Sequence, residues 1–244
     1  MYVCNNLSIR RVNPRMAAGT LNVVDRPELR NKCYVFKDRL HAGKLLGGEL
    51  QPHIQENAVL LALPAGGVPV GYEVAKQLGL TLDLAIVRKI QIPWNTEAGF
   101  GAVAWDGSVV LNEALVKQLA LTPRQIEESV SLAKLIVSER DRKFRGDRSF
   151  PNMRGRAVAL VDDGLASGYT MLAAIDSVRK GGPQKLVVAV PTGSTGAVQL
   201  VSSRADLVIC LNIRSGPIFA VADAYERWYD LTDEEVSQYL KAQT

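Results

Sequence analysis

The amino-acid sequence predicts an α/β fold, a central parallel sheet flanked by helices. Three observations lead there. Short uninterrupted apolar runs, such as Ala58–Leu63 and Ala157–Val161, suit strands buried on both faces. Segments of helical periodicity separate these runs, and such alternation implies right-handed crossovers within one sheet. Helix stops fall where the pattern needs them, at Gly79 and at Gly181-Gly182-Pro183.

Residues 1–33 are polar and irregular and are read as an N-terminal extension or strap. Residues 34–244 form the α/β domain. Its first apolar strand, Ala58–Leu63, meets Pro64, and Gly66-Gly67 then open a helix over Val68–Leu78. A second strand is expected at Asp83–Val87, ending in Arg88-Lys89. Residues 91–100 read as a loop. Gly101–Trp105 and Ser108–Asn112 read as a hairpin turned by Asp106-Gly107. Thr122, Pro123 and Gln125 form a capping box that opens the longest helix, with Ile126, Val130, Ala133 and Val137 on its core stripe. Further strands are expected at Ala157–Val161, Lys185–Val190 and Leu207–Leu211, with helices over Gly168–Lys180 and Thr195–Ser203. A second capping box, Thr232 to Glu235, starts the last helix.

Composition excludes several classes. With 244 residues, 47% of them hydrophobic and 22% charged, the chain can bury a full core and is not disordered as a whole. No run of about 18 uncharged apolar residues exists, so no membrane partner is expected. The three cysteines, Cys4, Cys33 and Cys210, include no CxxC pair. They fit neither a disulfide framework nor a zinc cluster, and reduced thiols in a cytoplasm are the expectation. The N-terminus lacks the apolar core of a signal peptide. The net charge of +4 is matched by a basic run, Arg140, Arg142, Lys143, Arg145, Arg148, Arg154 and Arg156. Only Phe144 and Phe150 interleave it, so nucleic acid is not an expected partner and a solvated helix end and loop is.

The segment Val158–Met171 carries the most chemistry. An apolar strand delivers Asp162 and Asp163 to its carboxyl end, where α/β sheets bind ligands. A turn of small residues follows, and Ser167, Gly168 and Thr170 open a helix. Unpaired N–H groups and two hydroxyls make that turn an anion cradle. The acids suit hydroxyl groups or a divalent cation on the same ligand. A phosphorylated sugar with a vicinal diol satisfies both halves. Neither GxxxxGK[ST] nor a GxGxxG after the first strand is present.

This stretch resembles the 5-phosphoribosyl 1-diphosphate (PRPP) motif of type I phosphoribosyltransferases. The resemblance extends to Phe36-Lys37-Asp38-Arg39 with Ala42-Gly43, to Leu61–Val70, to Val87-Arg88-Lys89, to Glu97 with Gly101–Ala104, and to Asp233–Val236. Together these look like a group of predicted phosphoribosyltransferases of undefined substrate. The resemblance implies a flap hairpin and a small hood made by terminal segments. It also implies an Mg²⁺-dependent enzyme of nucleotide metabolism that moves ribose 5-phosphate from PRPP to a nitrogenous base and releases pyrophosphate. A non-catalytic PRPP- or nucleotide-binding regulator, and a hydrolase or other transferase on a phosphorylated sugar, remain as alternatives. Partners would be PRPP and a small acceptor, with a second copy of the chain as a candidate.

The implied catalytic set is Asp162, Asp163, Arg88 and Lys89. Asp162 and Asp163 would take the ribose hydroxyls, directly or through Mg²⁺. Ala166, Ser167, Gly168, Tyr169 and Thr170 would hold the 5′-phosphate, and Ala65, Gly66 and Gly67 the pyrophosphate. The group usually has Arg where Ala65 stands, and some members carry a loop acid where Ala166 stands. Related enzymes place a non-proline cis bond in the pyrophosphate loop, here Pro64–Ala65, with Leu63–Pro64 as the competing position. Glu97 would touch substrate or Mg²⁺ from the flap. Phe219 and Tyr225 would stack on the acceptor under the hood, or else pack against the C-terminal helix.

Overall fold

Two sheets organise the computed structural model, which describes residues 9–12 and 22–243. In chain order the strands are β1 (Ile9–Val12), β2 (Val23–Val24), β3 (Val59–Ala62), β4 (Leu82–Leu84), β5 (Val87–Ile92), β6 (Asn95–Ala104), β7 (Val109–Asn112), β8 (Ala157–Val161), β9 (Lys185–Ser194) and β10 (Leu207–Arg214). The helices are α1 (Arg39–Leu50), α2 (Gly67–Leu78), α3 (Glu113–Gln118), α4 (Pro123–Arg145), α5 (Tyr169–Lys180), α6 (Thr195–Ser202) and α7 (Asp233–Lys241). The main sheet runs β2-β10-β9-β8-β3-β4, with every pairing parallel.

The continuous apolar runs explain the layers. Side chains alternate across a strand, so every second residue enters a different core. Leu60, Ala62, Ala159 and Val161 face Leu46, Val70 and Val74 of α1 and α2. Leu61, Val158, Leu160 and Val188 face Leu172, Ile175 and Val178 of α5, with Val198 and Val201 of α6. Both faces of the central strands are therefore dry, and function is left to the loops at the sheet edge. Both expected capping boxes are formed, at Thr122–Gln125 and at Thr232–Glu235.

Three expectations need correction, and helix α1 was missed. The strand expected at 83–87 is two strands. Leu82–Leu84 extends the main sheet beside β3, and Val87 begins the second sheet. Ala85 and Ile86 are buried throughout the crossing, so the apolar run shows no break. Residues 91–100 are not a loop but mostly paired strand, since β5 reaches Ile92 and β6 starts at Asn95. Their polar, glycine-containing composition hid the pairing. Helix α1 was not expected at all: Ala42, Gly43, Leu46, Gly47 and Leu50 form its buried face, and three glycines, Gly43, Gly47 and Gly48, lower its helix propensity and hide it. Finally, the flap is free only at its tip. The second sheet runs β1-β7-β6-β5, and Ile90, Phe100, Val103, Val109 and Val110 bury its base. Pro93–Glu97 form the exposed tip.

Within residues 1–33, β1 pairs with β7 and β2 with β10, both parallel. The basic run is mostly a solvated helix end and loop, with Arg142, Lys143, Arg148 and Arg154 exposed and Arg145 buried, and several of its members are paired. Arg140 and Lys143 reach Asp233, Arg145 reaches Asp83 and Asp141, and Arg156 donates to the Asn57 carbonyl. Cys33 and Cys210 are free thiols, and Cys4 lies outside the described residues. No described helix is long and apolar enough to cross a membrane.

Candidate functional site

Strand β8 lies between β3 and β9, and its end carries Asp162 and Asp163 to the middle of the sheet's carboxyl edge. The loop that follows is tied down by the neighbouring strand. Leu165 N donates to the Thr192 carbonyl at 2.9 Å, and Ser194 N donates back to the Leu165 carbonyl at 2.9 Å. Ser194 Oγ donates to the Ala166 carbonyl at 2.8 Å. Ala166 and Ser167 stay exposed. Gly168 then starts α5 with φ of 82°, a left-handed conformation that L side chains rarely adopt. No side chain caps this helix start. Its first-turn donors, with the Ser167 and Thr170 hydroxyls beside them, are therefore placed to receive an anion.

The loop after β3 meets the diacid from the other side. The Pro64–Ala65 peptide bond is cis, as the resemblance implied, and Gly66-Gly67 begin α2. Gly66 lies flat against the Asp163 carboxylate, where a Cβ would collide with the side-chain oxygens. Asp162 and Asp163 thus sit between two glycine-containing helix starts.

The electrostatics of the pair are unusual. Burial pushes the Asp162 carboxyl well above the ordinary range, and the neighbouring Asp163 charge adds to it. Burial also raises Asp163, although Arg39 opposes the shift. Asp163 Oδ2 accepts from Arg39 Nε at 2.9 Å, and Asp162 Oδ1 accepts from the Asp163 N–H at 2.8 Å. Two acids against one guanidinium leave acceptor capacity unused.

That oxygen set bears on Mg²⁺. Among the described residues, no three His, Cys, Asp or Glu side chains converge on a metal position. Two adjacent carboxylates with unused oxygens fit an ion that brings its remaining ligands from phosphate, hydroxyl and water, the usual habit of Mg²⁺.

The other expected residues divide. Arg88 and Lys89 lie within β5 of the second sheet, opposite Val103 and Ala102, not at the end of a main-sheet strand. Lys89 Nζ donates to the Glu97 carbonyl, so Lys89 and Glu97 share the flap hairpin. Tyr225 offers no stacking surface. It is 1% exposed, with its ring 5.6 Å from Phe36 and 5.3 Å from Trp228. Its hydroxyl donates to the Asp163 carbonyl at 2.6 Å, and burial raises its pKa far above the usual phenol value. It is a buried support of the Asp163 backbone, packed between Phe36 and Trp228. Phe219 has the Arg214 guanidinium over its ring at 5.3 Å.

Sequence reasoning assigned no role to Arg39, Tyr225 as a hydrogen-bond donor, or Ser194. Arg39 stands 124 positions from Asp163, so no local spacing could connect them. Its only signal was membership of the Phe36–Arg39 segment.

With the geometry in place, residues 41–225 match the family model described as the phosphoribosyl transferase domain. The chain belongs to that family. Two curated relatives from Mycobacterium tuberculosis, named "Putative phosphoribosyl transferase" MT0597 and Rv0571c, are each 36% identical over 206 residues. That match takes in 84% of this chain and 46% of theirs, so the chain spans about half the length of the curated relatives it matches. The crystal structure of TT1426 from Thermus thermophilus is 36% identical and superimposes with a TM-score of 0.70, covering 85% of this chain and 98% of that one. The phosphoribosyl transferase fold predicted from the sequence is thereby shown.

Proposed function

We propose that this phosphoribosyl transferase domain binds PRPP and transfers its ribose 5-phosphate to a nitrogen acceptor, releasing pyrophosphate. The observation that supports this reading is the diacid set between two anion-binding helix starts. A ligand with a phosphate at one end, a diol in the middle and a diphosphate at the other matches that order. The 5′-phosphate takes the backbone donors of 166–170 with the Ser167 and Thr170 hydroxyls. The ribose 2- and 3-hydroxyls donate to Asp162 and Asp163. The diphosphate lies on Ala65–Gly67 at the start of α2.

In the reaction the bond from ribose C1 to the diphosphate oxygen breaks and a bond from C1 to the acceptor nitrogen forms. The electron pair leaves with pyrophosphate, and the acceptor's proton passes to solvent or to the released diphosphate. Positive charge develops at C1 and is favoured by the nearby carboxylates. The chain's part is to fix both anions and hold C1 within reach of the acceptor. The flap tip, residues 93–97, would exclude water as it covers the ligand. Asp162 and Asp163 would hold Mg²⁺ together with oxygens of the ligand. The ion, when bound, neutralises the leaving diphosphate. The reading places the domain in the cytoplasm, where Cys33 and Cys210 stay reduced.

Ala65 and Ala166 favour a second reading, a PRPP-binding regulator without turnover, because the diphosphate loop lacks a cation and the phosphate loop lacks an acid. Pyrophosphate release from PRPP, followed across a panel of purine, pyrimidine and other nitrogen acceptors, separates the two. Release with one acceptor and not without it supports transfer. Tight PRPP binding with no release under any acceptor supports the regulator.

A further inference from the structure

We propose that Arg39 is a positioning residue of the ribose site, clamping the Asp163 carboxylate to the hood. The proposal rests on the reading of the diacid as the ribose-binding group. Arg39 carries no role in that reading, yet it ties Asp163 to Trp228 and Tyr229. Nε donates to Asp163 Oδ2 at 2.9 Å, and Nη1 donates to the Tyr229 carbonyl at 2.8 Å. The guanidinium carbon lies 3.8 Å from the centre of the Trp228 ring, a stacked cation–π contact. The side chain is 7% exposed.

The backbone around it is equally held. Phe36 N donates to the Ala224 carbonyl at 3.0 Å, Glu226 N to the Phe36 carbonyl at 2.8 Å, and Arg227 N to the Lys37 carbonyl at 3.0 Å. Residues 36–37 and 224–227 thus form a short paired ladder, and Arg39 projects from its end at the start of α1. Tyr225, on the same ladder, donates to the Asp163 carbonyl. Asp163 is gripped twice by one unit, at its side chain and at its backbone.

The consequence is geometric. With one acceptor site of Oδ2 taken by Arg39, the Asp163 carboxylate is held in one rotamer and its remaining lone pairs are left in a fixed direction for a ribose hydroxyl. A planar fork can hold Asp163 and the Tyr229 carbonyl together while stacking on an indole. An ammonium on a flexible stem cannot. Arg39 therefore acts on the ribose through Asp163.

The test uses the full chain and two separate probes, ribose 5-phosphate and pyrophosphate, each titrated with Mg²⁺ by calorimetry. Arg39→Met should weaken ribose 5-phosphate at least tenfold and pyrophosphate by less than threefold. Arg39→Lys keeps the charge and loses the second arm, so ribose 5-phosphate should weaken three- to fivefold. In an Asp163→Asn background, Arg39→Met should add less than twofold, because the residue it acts through is already disabled. Unchanged ribose 5-phosphate affinity in both Arg39 variants would overturn the clamp and leave the PRPP reading standing. So would a parallel loss of both probes, which would mark Arg39 as a plain structural residue. If Arg39→Met fails to fold, Arg39→Lys carries the same two comparisons. If wild type binds pyrophosphate but not ribose 5-phosphate, the PRPP reading fails, and the clamp with it.

Discussion

Asp106 and the Asp162–Asp163 pair are carboxylates at turns, and the fold treats them in opposite ways. Asp106 accepts from the Ser108 N–H and Oγ, from Ser177 Oγ and from Lys180 Nζ. Burial works against its charge, but Lys180 and the two serines outweigh it and hold its carboxyl below the ordinary range. Those contacts fasten the β6–β7 turn to the far end of α5. At the near end of the helix, Asp162 has one backbone donor and Asp163 shares one guanidinium. Their carboxyls are held above the ordinary range. A saturated carboxylate stabilises the folded chain and has no capacity for a ligand. An undersatisfied pair costs stability until a ligand's hydroxyls or cation complete it.

The sharpest way to break the contrast is Gly66→Ala. The added methyl would strike the Asp163 carboxylate and push it out of line. Overpacking of this kind costs the fold about 1–3 kcal/mol, and with Asp163 displaced PRPP affinity should separately fall roughly a hundredfold, the equivalent of about 2.7 kcal/mol of binding. Calorimetry on the folded variant checks it.

Next in size is the exchange of the two carboxylates for amides. Asp163→Asn should lower PRPP affinity at least tenfold, the worth of about 1.5–3 kcal/mol for a charge-assisted hydrogen bond. Asp106→Asn should leave affinity within twofold. It should instead destabilise the fold by about 1–2 kcal/mol, seen as a Tm lower by roughly 2–8 °C.

The pH dependence should carry opposite signs. Asp106 is depressed, so its stabilisation is present above the ordinary carboxylate pKa and is lost as pH falls through the lower folded value. Asp162 is raised, so ionising it costs stability as pH climbs from the ordinary value through the folded one. Asp162→Asn should match wild type in Tm near pH 3.5 and exceed it at pH 8 without ligand. Asp106→Asn should lie below wild type at pH 8 and approach it on acidification. Thermal melts at both pH values decide both.

The smallest effect is expected at the basic run. Arg140→Met removes a partly exposed pair with Asp233, 2.8 Å in length. The cost should be roughly 0.5–1 kcal/mol and should shrink in high salt, with PRPP affinity unchanged.

The sequence made the main sheet and the phosphate cradle legible for a local reason. Val158–Thr170 contains strand, acids, turn and helix start in one stretch, and the folded chain keeps that order. The two capping boxes were legible for the same reason. What stayed hidden depends on distant partners. An apolar run cannot show that Val87 leaves one sheet for another. No spacing links Arg39 to Asp163, or Ser177 and Lys180 to Asp106. The aromatic stretch after β10 could be read as a stacking surface or as packing, and only the burial of Tyr225 separates the two.

The most direct measurement is a crystal structure of the chain with PRPP and Mg²⁺. The 5′-phosphate is expected within hydrogen-bond reach of the backbone N–H groups of 166–170, with the ribose hydroxyls on Asp162 and Asp163. The diphosphate should lie on Ala65–Gly67. A phosphate bound elsewhere, with the cradle and the diacid both empty, would contradict the assignment.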